Sequence, residues 1–146
     1  MKDEKLALLL LENFNMFDNM IKNIIGSRNK KKHMFTSKQF FTLEQMKKYD
    51  KIELKYLSKE LYVSTSSLCI LLNKMVENGF VFRAEDPRDR RNTLYGLTDL
   101  GRETLQKEEE LVAESLVKNM GDFDQDFKDE LEKGLKVLVK AAEKLC

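Results

Sequence analysis

Residues 4–25 place Leu6, Leu10, Phe14, Phe17, Met20, Ile21 and Ile24 at steps of three and four, the spacing that gathers side chains on one face of an α-helix. Leu8, Leu9 and Leu11 widen this stripe beyond what the surface helix of a small monomer covers. A helix apolar around most of its girth needs burial on more than one side. A chain of 146 residues has room for one compact domain, so the second side is expected to come from another subunit. The longest uninterrupted apolar run, Leu6–Leu11, falls far short of the roughly 20 residues that span a bilayer. Glu12 and Asn13 close it without a small-residue cleavage site, so it does not read as a signal peptide. The expectation is a soluble, cytoplasmic protein with no membrane partner.

Apolar residues at 42% and charged residues at 35% give a globular balance. Two cysteines, Cys69 and Cys146, exclude a disulfide framework and fit a reducing compartment. One histidine, His33, makes a zinc site improbable, so no metal and no required cofactor are expected. Charge is spread unevenly. The net +1 splits into +7 over residues 26–95 and −6 over the remainder. A basic centre between acidic ends suits a surface that meets a polyanion.

The remaining pattern reads as helices with one hairpin. Gly26-Ser27 ends the first helix, and Arg28, Lys30, Lys31 and Lys32 form a basic connector, read as a solvated loop before a phosphate contact. A short helix is expected around Gln39–Tyr49 and another from Leu54 to Tyr62. Ser64-Thr65-Ser66-Ser67 then supplies hydroxyls suited to cap the next helix. That helix carries Leu68, Leu71, Leu72 and Met75 inward, and Asn78-Gly79 closes it. Phe80–Arg83 and Asn92–Leu97 read as strands around a basic tip holding Pro87, the only proline, which presets a turn. Thr98-Asp99 opens a long helix to about Met120, and a last helix runs from Asp124 to Leu145.

Two short helices joined by a tight turn, followed by a hairpin, are the parts of a winged helix-turn-helix. A helix fits the major groove of DNA and presents its N-terminal residues to base edges. A hairpin tip reaches the neighbouring minor groove, whose negative potential favours arginine. No enzyme motif competes: Gly26 and Gly79 stand alone without a phosphate-cradling loop, and there is no Cys-x-x-Cys or nucleophile elbow. Glu108-Glu109-Glu110 reads as a solvated helix face.

The stretch Leu57-Ser58-Lys59-Glu60-Leu61-Tyr62-Val63-Ser64, then Leu68 to Met75, Asn78 to Arg83, Asp86-Pro87-Arg88-Asp89-Arg90-Arg91 and Leu97-Thr98-Asp99-Leu100-Gly101 resembles the MarR family of bacterial transcriptional regulators. The resemblance covers about residues 40–101. It implies a mostly α fold with a small β-hairpin, in which a winged helix-turn-helix over 36–97 sits between dimerisation helices at 1–35 and 98–146. It also implies a homodimer bound to double-stranded DNA at a palindromic operator, commonly a repressor released by a small-molecule effector or an oxidant.

Thr65, Ser66, Ser67, Cys69, Ile70, Asn73 and Lys74 fall on the helix face opposite the leucines and are the candidates for phosphate and base contact. Asn73 suits an adenine edge. Ile70 departs from the resemblance, which often has a basic residue there. Arg88, Arg90 and Arg91 are the wing candidates, and the resemblance casts Asp89 as the acid that braces Arg91. Phe14, Phe17, Met20, Phe40, Phe41 and Met46 are candidates for an effector pocket, against plain core packing. Two other readings stay open: a winged-helix adaptor for a protein partner, or a redox sensor of the same fold using Cys69.

Overall fold

The leucine-rich run forms helix α1 (Asp3–Gly26), which buries only Ile25 and leaves Leu6, Leu8, Leu9, Leu11, Phe14, Met16, Phe17 and Met20 exposed. This computed structural model describes residues 2–26 and 33–146. Ser27, Arg28 and Lys30–Lys32, the basic connector, lie outside the described residues. By contact the chain divides into two units, Met1–Ala113 and Glu114–Cys146.

In the first unit α1 is followed by α2 (Ser37–Met46), β1 (Ile52–Glu53), α3 (Leu54–Leu61), α4 (Thr65–Glu77), β2 (Val81–Glu85) and β3 (Thr93–Leu97). Then α5 (Asp99–Asn119) begins. α2 starts earlier than its apolar pattern suggests because Thr36 and Gln39 form a reciprocal capping box. Gln39 N–H donates to Thr36 Oγ1 at 3.2 Å, and Thr36 N–H donates to Gln39 Oε1 at 2.9 Å. The strands are offset by one or two residues from the expected ranges. The hairpin is also joined by a third strand that the sequence reading missed. β3 is central, with Ile52 opposite Tyr95 on one side and Val81 opposite Leu97 on the other, both pairings antiparallel. Two residues are too few to show alternation, which is why β1 left no signal.

The core of this unit gathers Leu43, Met46, Leu57, Leu68, Leu72, Met75, Tyr95 and Leu105, all essentially inaccessible to solvent. Gly79 ends α4 with φ of 84°, the left-handed position expected there. The Leu-Thr-x-x-Gly run has a structural reason. Thr98 Oγ1 donates to Gly79 O at 2.6 Å and accepts Gly101 N–H at 2.9 Å, while Thr98 N–H donates to Phe80 O at 3.1 Å. A Cβ on Gly101 would collide with the Phe80 carbonyl, so this position admits only glycine.

In the second unit α6 (Gln125–Leu145) starts at Asp124, whose carboxylate accepts Phe127 N–H at 2.8 Å. Phe123 and Phe127 meet edge to face at 4.8 Å. No residue of α6 is buried, and Phe127, Leu135, Val137, Val139 and Leu145 are exposed.

Candidate nucleic-acid interface

α3 ends in a left-handed residue, Tyr62, and Val63 N–H returns to Ser58 O at 3.1 Å, so the chain reverses within a short turn. Ser64 then caps α4 by accepting Ser67 N–H at 3.2 Å, and its hydroxyl lies 2.9 Å from Ser67 Oγ and 3.3 Å from Ser66 Oγ. Of the expected contact residues on α4, Thr65, Ser66, Ser67, Ile70 and Lys74 are exposed. Ile70 is 74% accessible.

Cys69 and Asn73 correct the expectation that all seven residues share one open face. Both are half-buried. Asn73 Oδ1 accepts the Tyr95 hydroxyl at 3.2 Å, Asn73 Nδ2 donates to Cys69 Sγ at 3.4 Å, and Sγ lies 4.0 Å from that hydroxyl. These two residues flank the inner stripe instead of opposing it, so the long Tyr95 side chain on β3 reaches them. Burial, and then the neighbouring Cys69, push the Tyr95 phenol above its usual value. The cluster fixes the rotation of α4 against the sheet.

The hairpin tip is held by two aspartates. Asp86, nearly buried, accepts Arg88 N–H at 2.9 Å. Asp89 accepts three times from Arg91: the backbone N–H at 3.0 Å, Nε at 3.1 Å and Nη2 at 3.2 Å. The Arg91 side chain, with its backbone N–H, holds the Asp89 carboxyl below the usual range. Arg88, Arg90 and Arg91 are all exposed, and the Arg91 side chain is 91% accessible. Asn92 Nδ2 donates to Glu53 Oε1 at 3.3 Å, so the wing's base is tied to β1.

Two acidic features depart from the sequence reading. Glu108 is buried, not solvated: its Oε2 meets His33 Nδ1 at 2.9 Å and its Oε1 accepts Met34 N–H at 2.6 Å. His33 is therefore a structural partner of α5. Glu109 pairs with Lys47 at 2.7 Å, and Lys47 also meets Glu44 at 2.9 Å. Burial, and then the neighbouring Glu109, raise the Glu44 carboxyl, while Glu109 is lowered. No signal in the sequence marks either pairing, because each joins residues more than sixty positions apart.

A cavity of about 490 Å³ opens among α1, α2, α3 and α4. Its walls include Phe41, Leu61, Val63, Leu68, Ile70 and Leu71, with Lys22 and Lys38 contributing charge. Of the six expected pocket residues only Phe41 lines it. Phe40 and Met46 belong to the core, and Phe14, Phe17 and Met20 are exposed on α1. Among the described residues no group of His, Cys, Asp and Glu is arranged to hold a metal, and no helix is long and apolar enough to cross a membrane.

Residues 35–93 match the model of the MarR family. The HTH-type transcriptional regulator SarZ of Staphylococcus haemolyticus (strain JCSC1435) is 30% identical over 112 residues, 75% of this chain and 73% of that protein. The uncharacterized HTH-type transcriptional regulator YkoM of Bacillus subtilis (strain 168) is 31% identical over 80 residues, 55% of this chain, so the match spans about half of that relative, 52%. Among solved structures, the reduced form of MarR from E. coli is 25% identical with a TM-score of 0.75, covering 88% of this chain and 95% of that one. A mutant of the same protein complexed with operator DNA is 23% identical with a TM-score of 0.66, covering 94% and 99%.

Proposed function

Because the chain belongs to the MarR family, we propose that it is a non-enzymatic, sequence-specific DNA-binding transcriptional regulator, acting in the cytoplasm as a homodimeric repressor on a palindromic operator. The observation that carries this reading is the wing: a carboxylate already grips Arg91 in an exposed tip, so its guanidinium is ordered before any partner arrives. The exposed hydroxyls of Thr65, Ser66 and Ser67 at the start of α4, with Ile70 and Lys74 farther along, support insertion of this helix in the major groove. Ile70 offers an apolar contact for a thymine methyl. Asn73 reaches a base by exchanging its Tyr95 partner, and Cys69 contributes through the same cluster more than by direct contact. Arg88 and Arg90 add charge beside Arg91 at the minor groove.

The exposed apolar surface of α1 supports the assignment of residues 1–35 and 98–146 to dimerisation and of 36–97 to DNA binding. Two-fold symmetry then sets half-sites about 10 base pairs apart. The apolar cavity walled partly by α4 supports a small-molecule effector with an apolar body, which shifts the spacing of the two α4 helices. No cofactor is needed for this activity.

Selection of bound fragments from random DNA, repeated across a salt series, tests the reading. Enrichment of a palindrome and affinity falling steeply with salt are expected. Arg91→Ala is expected to leave the dimer intact and weaken operator binding at least tenfold, about 1.4 kcal/mol. Full affinity in a folded Arg91→Ala dimer would refute the role of the wing.

A further inference from the structure

Tyr62, in the turn between α3 and α4, holds a φ of 54° and is the only non-glycine with a positive φ among the described residues. Glycine or asparagine adopts this conformation readily, whereas a bulky side chain is strained in it. Packing does not offset the strain, since Tyr62 is 95% exposed. The backbone alone accounts for the conformation, since Tyr62 N–H donates to Lys59 O at 3.3 Å and Val63 N–H to Ser58 O at 3.1 Å; the phenol takes no part in closing the turn and is left free for a partner.

The helix that leads into this turn shows a matching polarity. Lys55 and Lys59 lie one turn apart on α3, both exposed, and among the described residues neither has a carboxylate partner. Lys59 Nζ stands 6.0 Å from the centre of the Tyr56 ring. The other flank of α3 is occupied within the chain: Glu60 accepts the Tyr49 hydroxyl and Gln45 Nε2, each at 2.6 Å. α3 therefore has one flank engaged in the fold and one flank whose cations, among the described residues, meet no carboxylate and which ends at an exposed phenol.

We propose that Lys55, Lys59 and Tyr62 form a further line of contact to DNA phosphates, beside α4 and the wing. The proposal rests on the DNA-binding reading above. The first helix of a helix-turn-helix crosses the sugar-phosphate backbone. The two ammonium groups neutralise phosphates there, and the Tyr62 hydroxyl donates to a phosphate oxygen. Such contacts position the protein and set its salt dependence without reading bases.

The test uses the full chain and the DNA sequence recovered by selection, with affinity measured across a salt series. Lys55→Gln/Lys59→Gln is expected to reduce the steepness of the log–log salt dependence by about 1.8 and to weaken binding about tenfold near physiological salt. The base preference in a repeated selection is expected to stay the same. Tyr62→Gly is expected to weaken binding several-fold while its thermal midpoint holds or rises, since the strain is relieved. Lys140→Gln/Lys144→Gln on α6 removes the same net charge and, with the dimer shown intact by sedimentation, is expected to leave the slope unchanged. An unaltered slope in the Lys55/Lys59 variant, an equal loss in the α6 control, or a changed base preference overturns the proposal while leaving DNA binding itself established. Failure of the wild-type protein to bind any DNA defeats the underlying reading instead, and this proposal with it.

Discussion

The central region, α2 through β3, buries its apolar side chains against one another, whereas α1 leaves most of its leucines and phenylalanines exposed and α6 buries none of its residues. Both kinds of region carry apolar stripes at helical spacing. They differ in whether the chain itself supplies the opposite wall. The centre has a sheet and crossing helices to close on, so its conformation is settled within one subunit. The terminal helices carry more apolar surface than one chain covers, which is how a sequence encodes association.

Three changes would break or sharpen this contrast. Leu72 is fully buried on the inner face of α4, and Leu72→Ala is expected to cost about 2–5 kcal/mol, read as a lower denaturant midpoint at every protein concentration. Phe14→Glu places a charge on the exposed face of α1. It is expected to shift the dimer toward monomer by at least tenfold in dissociation constant, about 1.4 kcal/mol, measured by sedimentation, with the helical signal of the centre retained. A variant that stayed dimeric would remove α1 from the interface. The smallest effect belongs to the seam between α2 and α5. Glu44 has a raised carboxyl value, so the native state holds its proton more tightly than the unfolded chain does, and this group's contribution to stability grows as pH falls. Glu44→Gln keeps an oxygen for Lys47 and removes a charge beside Glu109. It is expected to stabilise by under about 1 kcal/mol at pH 7, with the gain shrinking as pH falls through the raised value. Equal gains at neutral and acid pH would argue against a raised Glu44 carboxyl.

Much of this was legible in the residues because it rests on local rules. Ser64 and Asp124 announce helix starts, Asn78-Gly79 an end, and Asp86-Pro87 a turn, each through chemistry confined to a few neighbours. The Thr36–Gln39 box obeys the same logic and was readable from its spacing. What escaped depends on distant partners. β1 exists because β3 offers it a free edge. Glu108 is buried because His33 and Met34 N–H satisfy it. Cys69 and Asn73 turn inward because Tyr95 reaches them. Helical arithmetic places those two on a flank, and only the neighbouring strand decides whether a flank is wet or dry.

The Asp89–Arg91 clamp has a consequence for how such a protein would search a genome. A guanidinium carries five N–H donors, and two of Arg91's are taken by its own chain, leaving three directed outward. The carboxylate also cancels much of the arginine's charge at a distance, where attraction to any duplex would arise. Close in, the remaining donors keep their direction and their reach. In the minor-groove role proposed for it, an arginine held this way would add little grip during sliding over indifferent sequence and would engage when a groove of fitting width arrives at the tip.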